Sequence, residues 1–128
     1  MKGTIKGGTS LINITIPDPS VTVTKRDSEE ASSTYGFPDF HLIPRDKGGI
    51  FMFYNKDQEL LFVGKARKLR PRIKKHFEDS VSPVKNHRAE ITKIVVCDVE
   101  DPVHREIYET YIINEQKAKY NVDKVFFQ

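Results

Sequence analysis

Three places in the 128-residue sequence carry residue types that can do chemistry. Glu109 lies in the run Glu106-Ile107-Tyr108-Glu109-Thr110-Tyr111-Ile112-Ile113. At about 100° per residue, a helix aims it between Ile112 and Ile113, away from bulk water. A partly buried carboxylate takes a cation, a hydrogen-bond network or a metal as its partner; a surface or capping role is the competing reading. Arg72 and His76 stand at i and i+4 and share one face of a helix. Arginine can grip a phosphate through paired hydrogen bonds, and histidine can move a proton near neutral pH. The alternative is that both belong to a solvated basic surface. Lys65 follows Gly64 at the end of an apolar run, where a missing side chain admits a ligand or a second backbone. A turn glycine beside an ordinary lysine explains the pair equally well.

Other chemistries lack their residues. There is no serine-centred or Cys–His hydrolase motif, no Walker A loop and no dinucleotide fingerprint. Cys97 is the single cysteine, which excludes a disulfide framework and a multi-cysteine zinc site. It reads as a small core residue in a protein of a reducing, cytoplasmic compartment. No stretch approaches the roughly 20 apolar residues of a membrane span, and Met1-Lys2-Gly3-Thr4 does not begin a signal peptide.

Charge points to a partner. The net charge is +3, but Lys65, Arg67, Lys68, Arg70, Arg72, Lys74 and Lys75 follow one another with no acid between them. With Lys85 and Arg88 against Glu78 and Asp79, residues 65–88 carry +7, which leaves −4 for the remainder. An acidic body with one basic element suits a polyanion such as nucleic acid; a solvated helix face that aids solubility is the plainer reading.

The elements that must position these residues follow from patterning. At 38% hydrophobic and 10% aromatic residues, the chain supports one domain with a core. Ile50-Phe51-Met52-Phe53-Tyr54 and Leu60-Leu61-Phe62-Val63, separated by a polar turn, read as an antiparallel hairpin. Leu69, Ile73 and Phe77 form a buried stripe on a first helix, with Pro71 in its first turn. Ile91 to Val96 reads as a third strand. Asp101-Pro102 opens a second helix running to about Lys119, whose apolar positions cover most of its circumference. Residues 1–46 read as an extension: a hairpin from Leu11–Ile16 and Val21-Thr22-Val23-Thr24 around Pro17-Asp18-Pro19-Ser20, then a polar linker. Val125-Phe126-Phe127 reads as an edge strand or docked tail. The expected fold is α/β (α+β): a small, mainly antiparallel three-stranded sheet flanked by helices over residues 47–128, with that N-terminal extension.

Ordered together, the motifs resemble a known family. Gly49-Ile50-Phe51, then Phe62-Val63-Gly64 continuing as Lys65-Ala66-Arg67-Lys68-Leu69-Arg70-Pro71-Arg72, resemble the GIY-YIG nuclease superfamily, in particular the N-terminal nuclease domain of the excision-repair protein UvrC. Arg72 lies ten residues after Phe62, where the family has its arginine. Glu109 takes the place of the metal-binding glutamate, and Asn121, twelve residues on, that of the asparagine. His76 matches a histidine that several members carry one turn after the arginine.

The resemblance spans about residues 47–121. It implies a metal-dependent DNA endonuclease of UvrC type with a role in DNA repair. One Mg²⁺ or Mn²⁺ is held by Glu109, Arg72 offsets phosphate charge, and Asn121 organises the site. Lys65, Arg67, Lys68, Arg70, Lys74, Lys75, Lys85 and Arg88 become the nucleic-acid-binding set. One departure stands out. Both motif tyrosines are phenylalanine, Phe51 and Phe62, and the family assigns the second as general base. His76 is the best substitute and Lys65 a weaker one. The competing reading is a catalytically impaired member that binds nucleic acid.

Overall fold

The β-branched and aromatic runs form strands and the i, i+4 patterned segments form helices, in an order that differs from expectation at the N-terminal side. In a computed structural model, which describes residues 2–4, 13–26 and 34–121, the strands are β1 (Lys2–Thr4), β2 (Asn13–Thr15), β3 (Val21–Thr24), β4 (Gly49–Tyr54), β5 (Leu60–Ala66) and β6 (Lys93–Asp98). The helices are α1 (Leu69–Glu78), between β5 and β6, and α2 (Pro102–Gln116). Residues Val125, Phe126 and Phe127 lie outside the described residues, as does most of the expected linker after Lys25.

The main sheet is antiparallel and has four strands in the order β3-β6-β4-β5, not three. The fourth is β3, paired along β6 from Val21↔Val96 to Thr24↔Lys93. The expected pairing of residues 11–16 with 21–24 is therefore not made. β2 pairs instead with β1, Lys2 opposite Thr15, and forms the N-terminal ribbon. The physical reason is alternation. Val23 is buried while Thr22 and Thr24 are exposed, so β3 has one apolar face and needs a sheet to lie in.

Each strand's alternation sends side chains to two layers. Phe51, Phe53, Phe62, Ile94 and Val96 meet Leu69 and Ile73 of α1, together with Phe37, Phe40 and Ile43 from the segment before β4. Ile50, Met52, Val63, Val95 and Cys97 meet Ile112 and Ile113 of α2 and Ile16. The helices thus cover opposite faces. A bulge at Phe53/Tyr54, where Tyr54 pairs with Leu60 and Phe53 with Phe62, sends both Leu61 and Phe62 to the α1 side.

The helix ends are held in two ways. Asp101 caps α2, its side chain accepting the Val103 N–H, with Pro102 in the first turn. α1 has no side-chain cap. Its first amides, at Leu69 and Arg70, donate to the carbonyls of Lys47 and Pro44 instead.

Candidate active site

β5 is an edge strand, and the chain after α2 returns to cover it. Lys117 closes α2 in the left-handed region, at φ 54°. The amides of Lys119 and Tyr120 then donate to the carbonyls of Leu60 and Leu61. Asn121 completes the cover. Its Oδ1 accepts the Val63 N–H at 2.8 Å and its Nδ2 donates to the Val63 carbonyl at 2.9 Å. Buried Asn121 thus uses both ends of its amide to hold the residue between Phe62 and Gly64.

The two phenylalanines lie on the α1 face. Phe51 is opposite Gly64 across β4 and β5, and its ring lies so close that a Cβ at Gly64 would overlap it. Glycine is thus required at position 64 by the aromatic at position 51. The His76 ring packs against both, with its centroid 5.4 Å from that of Phe51 and 4.9 Å from that of Phe62. Its Nδ1 is hydrogen-bonded to Ser82 Oγ at 2.7 Å. Burial among these rings lowers the His76 pKa to about 4, with Arg72 and Arg88 adding to the effect and Asp79 opposing it. The imidazole is neutral at neutral pH.

Glu109 and Lys65 lie on the α2 side. The Glu109 side chain is 7% exposed. The Lys65 ammonium stands 3.9 Å from Glu109 Oε1 and is ion-paired with Glu106, one turn earlier on α2. Lys65 lies inside β5, which runs on to Ala66, rather than at its end.

A residue that sequence reasoning missed completes this side. Arg105 is buried, four residues before Glu109 and therefore on the same face of α2. Its Nε donates to the Val99 carbonyl and an Nη to that of Glu100, both at 2.7 Å. Its guanidinium fills the space where Gly48 would carry a Cβ. The signal was Gly48 itself: a glycine before a strand leaves room for a large neighbour. The second helix also differs from expectation. Val103 and Ile107 are exposed, and Arg105 and Glu109 take the inward positions of its first half. Apolar positions all round a helix do not decide which face is buried when inward polar groups have partners.

Where β5 passes towards α1, Lys65, Ala66, Arg67, Arg72, Pro102 and Arg105 line an open cleft of about 240 Å³. Its charged lining residues are all cations. Arg72 also joins Arg67, Lys68, Pro71 and Lys75 around a second hollow of about 170 Å³. Glu109, Lys65, Arg72 and Arg105 therefore gather around one end of β5, while His76 sits on the opposite layer against Phe51 and Phe62. Lys74, Lys75, Lys85, Arg67 and Lys68 are exposed. Arg70 and Arg88 are employed differently. Arg70 donates to the Ile43 and His41 carbonyls, at 2.8 and 2.6 Å. Arg88 donates to the His76 carbonyl at 2.7 Å and to that of Asp79. Their guanidinium groups hold the fold together at positions where the charge count alone reads surface.

The donors near Glu109 are carboxylate oxygens, and no grouping of three or more His, Cys, Asp or Glu side chains occurs among the described residues. Such a set does not build a Zn²⁺ or Ca²⁺ cage. It fits Mg²⁺, which keeps most of its waters and takes one or two protein carboxylates besides substrate phosphate.

The fold is that of the GIY-YIG catalytic domains. The sequence profile of the GIY-YIG catalytic domain matches residues 47–121, and the chain belongs to this family. It is 66% identical to the "Uncharacterized protein YurQ" of Bacillus subtilis (strain 168), over 92% of this chain and 100% of that one. It is 36% identical to the UvrABC system protein C of Alkaliphilus metalliredigens over 63% of this chain, which spans only 13% of that protein. Among solved structures, the GIY-YIG N-terminal endonuclease domain of UvrC from Thermotoga maritima shares the fold. One form gives a TM-score of 0.57 at 23% identity, covering 66% of this chain and 96% of the other. Forms of that domain include one bound to magnesium and point mutants with a tyrosine replaced by phenylalanine, each bound to the catalytic divalent cation. Among the described residues, no helix is long and apolar enough to cross a membrane.

Proposed function

We propose that this protein is a metal-dependent DNA endonuclease that hydrolyses phosphodiester bonds and serves in DNA repair. One observation carries the reading: the buried Glu109 carboxylate stands next to Lys65 at the end of β5 that opens into the cleft of Arg72 and Arg105. Such a carboxylate needs a cation, and such a cleft suits a phosphate.

The roles follow from the groups. Glu109 is the cation ligand, for Mg²⁺ or Mn²⁺. When bound there, the ion supplies Lewis-acid stabilisation of phosphoryl charge. Arg72 offsets charge on the phosphate through directed N–H groups. Asn121 is a positioning residue that holds Val63 and hence the level of its neighbours on β5. Phe51 and Phe62 offer no hydroxyl, so proton transfer falls to His76. Its Nδ1 is hydrogen-bonded to Ser82 Oγ at 2.7 Å, and the neutral ring keeps one nitrogen with a lone pair that can take up a proton. The UvrC domain retains its catalytic cation with a tyrosine changed to phenylalanine, which supports a cation at Glu109 in a chain that has phenylalanine at both motif positions. Exposed Arg67, Lys68, Lys74, Lys75 and Lys85 supply the sequence-independent grip on the DNA backbone.

The test is nicking of supercoiled plasmid and branched DNA in Mg²⁺ or Mn²⁺, with Glu109→Gln as the comparison. Metal-dependent nicking that Glu109→Gln abolishes is the expected result. A second reading is favoured by the closed packing of Phe51 and Phe62 around His76: a DNA-binding member without cleavage. DNA binding with no nicking on any substrate, in either metal, refutes the nuclease reading and leaves that one.

A further inference from the structure

Two carboxylates of α2 and one ammonium of β5 share a small space. The Lys65 ammonium is ion-paired with Glu106 and also stands 3.9 Å from Glu109 Oε1. The carboxylates differ in setting: the Glu106 side chain is 50% exposed and that of Glu109 7%. Lys65 has its backbone fixed inside the strand, between Gly64 and Ala66. Its side chain is 39% exposed, on a flexible four-carbon stem. The ammonium can therefore move while the strand stays still. A cation beside a buried carboxylate meets the same electrostatic need whether it is an ammonium or a divalent ion.

We propose that Lys65 is a placeholder cation for the divalent-ion site at Glu109, and that Glu106 is the holding residue that draws its ammonium aside. The proposal rests on Glu109 being the cation ligand. It assigns Glu106 a positioning role that acts through Lys65. In the resting site the ammonium neutralises the buried carboxylate. A divalent ion and the ammonium then compete for Glu109, and Glu106 sets the outcome by offering Lys65 an exposed alternative. A displaced Lys65 remains on the rim of the cleft that Arg67, Arg72 and Arg105 also line. There its charge can meet a phosphate. Ion entry and phosphate binding are thereby coupled through one side chain.

The experiment measures Mn²⁺ binding to the full chain by calorimetry at low ionic strength, without DNA. Glu109→Gln, Lys65→Met, Glu106→Gln and the Lys65→Met/Glu106→Gln pair are compared with the unchanged protein. Lys65→Met is expected to tighten Mn²⁺ binding by up to about fivefold, the factor one partly exposed ion pair can supply. Glu106→Gln is expected to weaken it by a similar factor, and to do much less once Lys65 is gone. Unchanged or weaker binding by Lys65→Met overturns the proposal. So does an undiminished effect of Glu106→Gln in the Lys65→Met background, which would make Glu106 a ligand in its own right. If the unchanged protein binds no Mn²⁺, or Glu109→Gln binds it equally well, the cation site at Glu109 falls and the placeholder with it. Tight, Glu109-dependent binding that is indifferent to Lys65 removes the placeholder alone.

Discussion

Replacing His76 by leucine should flatten the acid sensitivity of the fold. The imidazole is enclosed by Phe51, Phe53 and Phe62, with centroids 5.4, 5.8 and 4.9 Å away. Burial lowers its pKa from 6.5 to about 4. An unfolded chain takes up this proton as the pH drops through 6.5, but the folded chain does so only near 4. Between these values the unfolded state binds more protons, so stability rises with pH and is lost on acidification through that window. The gap between 6.5 and about 4, at about 1.4 kcal/mol per pH unit, amounts to ~3 kcal/mol. Leucine removes the titration, leaving the loss of the Ser82 contact as a constant offset. The assay is urea unfolding of both proteins at pH 7, 5.5 and 4, with the slopes checked for constancy. Carboxylates of lowered pKa, such as Asp79 and Glu90, cost both proteins stability in acid, so the quantity that decides is the difference between the two curves. That difference should change by ~3 kcal/mol between pH 7 and pH 4. Parallel curves would refute the reasoning and place the His76 proton in contact with solvent.

Three further outcomes are expected. Asn121→Ala strips Val63 of two hydrogen bonds and should cost about 2–3 kcal/mol in unfolding free energy, read by denaturant titration; a loss under 0.5 kcal/mol would mean that water replaces the amide at no penalty. Phe62→Tyr restores the motif hydroxyl and should raise the single-turnover nicking rate by up to about 10²–10⁴-fold if proton transfer limits it; no gain would assign the limit to another step. Changing Lys68, Lys74 and Lys75 together to Glu should weaken DNA binding and lower the slope of log affinity against log salt by about one for each lost phosphate contact. By contrast, Arg88→Glu should show itself first as a loss of stability, since its guanidinium is bonded to backbone carbonyls.

The parts of the fold legible in the sequence were those set by local periodicity. The β4–β5 hairpin, the Leu69/Ile73 stripe and the Asp101-Pro102 cap each follow from spacing between near neighbours in the chain. Partner choice was not local. Val21–Thr24 carries the alternation of a half-buried strand, but nothing in it says that the partner is β6, Lys93–Asp98, far along the chain. Pro17-Asp18-Pro19-Ser20 looks like a hairpin turn and instead carries the chain from the ribbon to the sheet. Charge was legible as a sum and not as geometry. Arg70 and Arg88 read as surface cations and Arg105 went unread, yet the guanidinium groups of all three close backbone carbonyls that only the folded chain brings near. The positions of Glu109 and Asn121 were marked by motif spacing. The Lys65–Glu106–Glu109 cluster needed β5 and α2 to be in register, which no spacing within either element contains.

The cover on β5 has a consequence outside chemistry. A bare edge strand offers its backbone groups to any passing chain and is a common seed of edge-to-edge pairing. β5 carries a run of apolar residues and is the strand on which such pairing would do most harm, since it also holds Phe62, Gly64 and Lys65. Lys119, Tyr120 and Asn121 occupy the carbonyls of Leu60, Leu61 and Val63 and the amide of Val63. The segment whose Asn121 sets the level of Val63 thus also acts, with Lys119 and Tyr120, as a guard against self-association, and a chain that loses these three residues should aggregate before it unfolds.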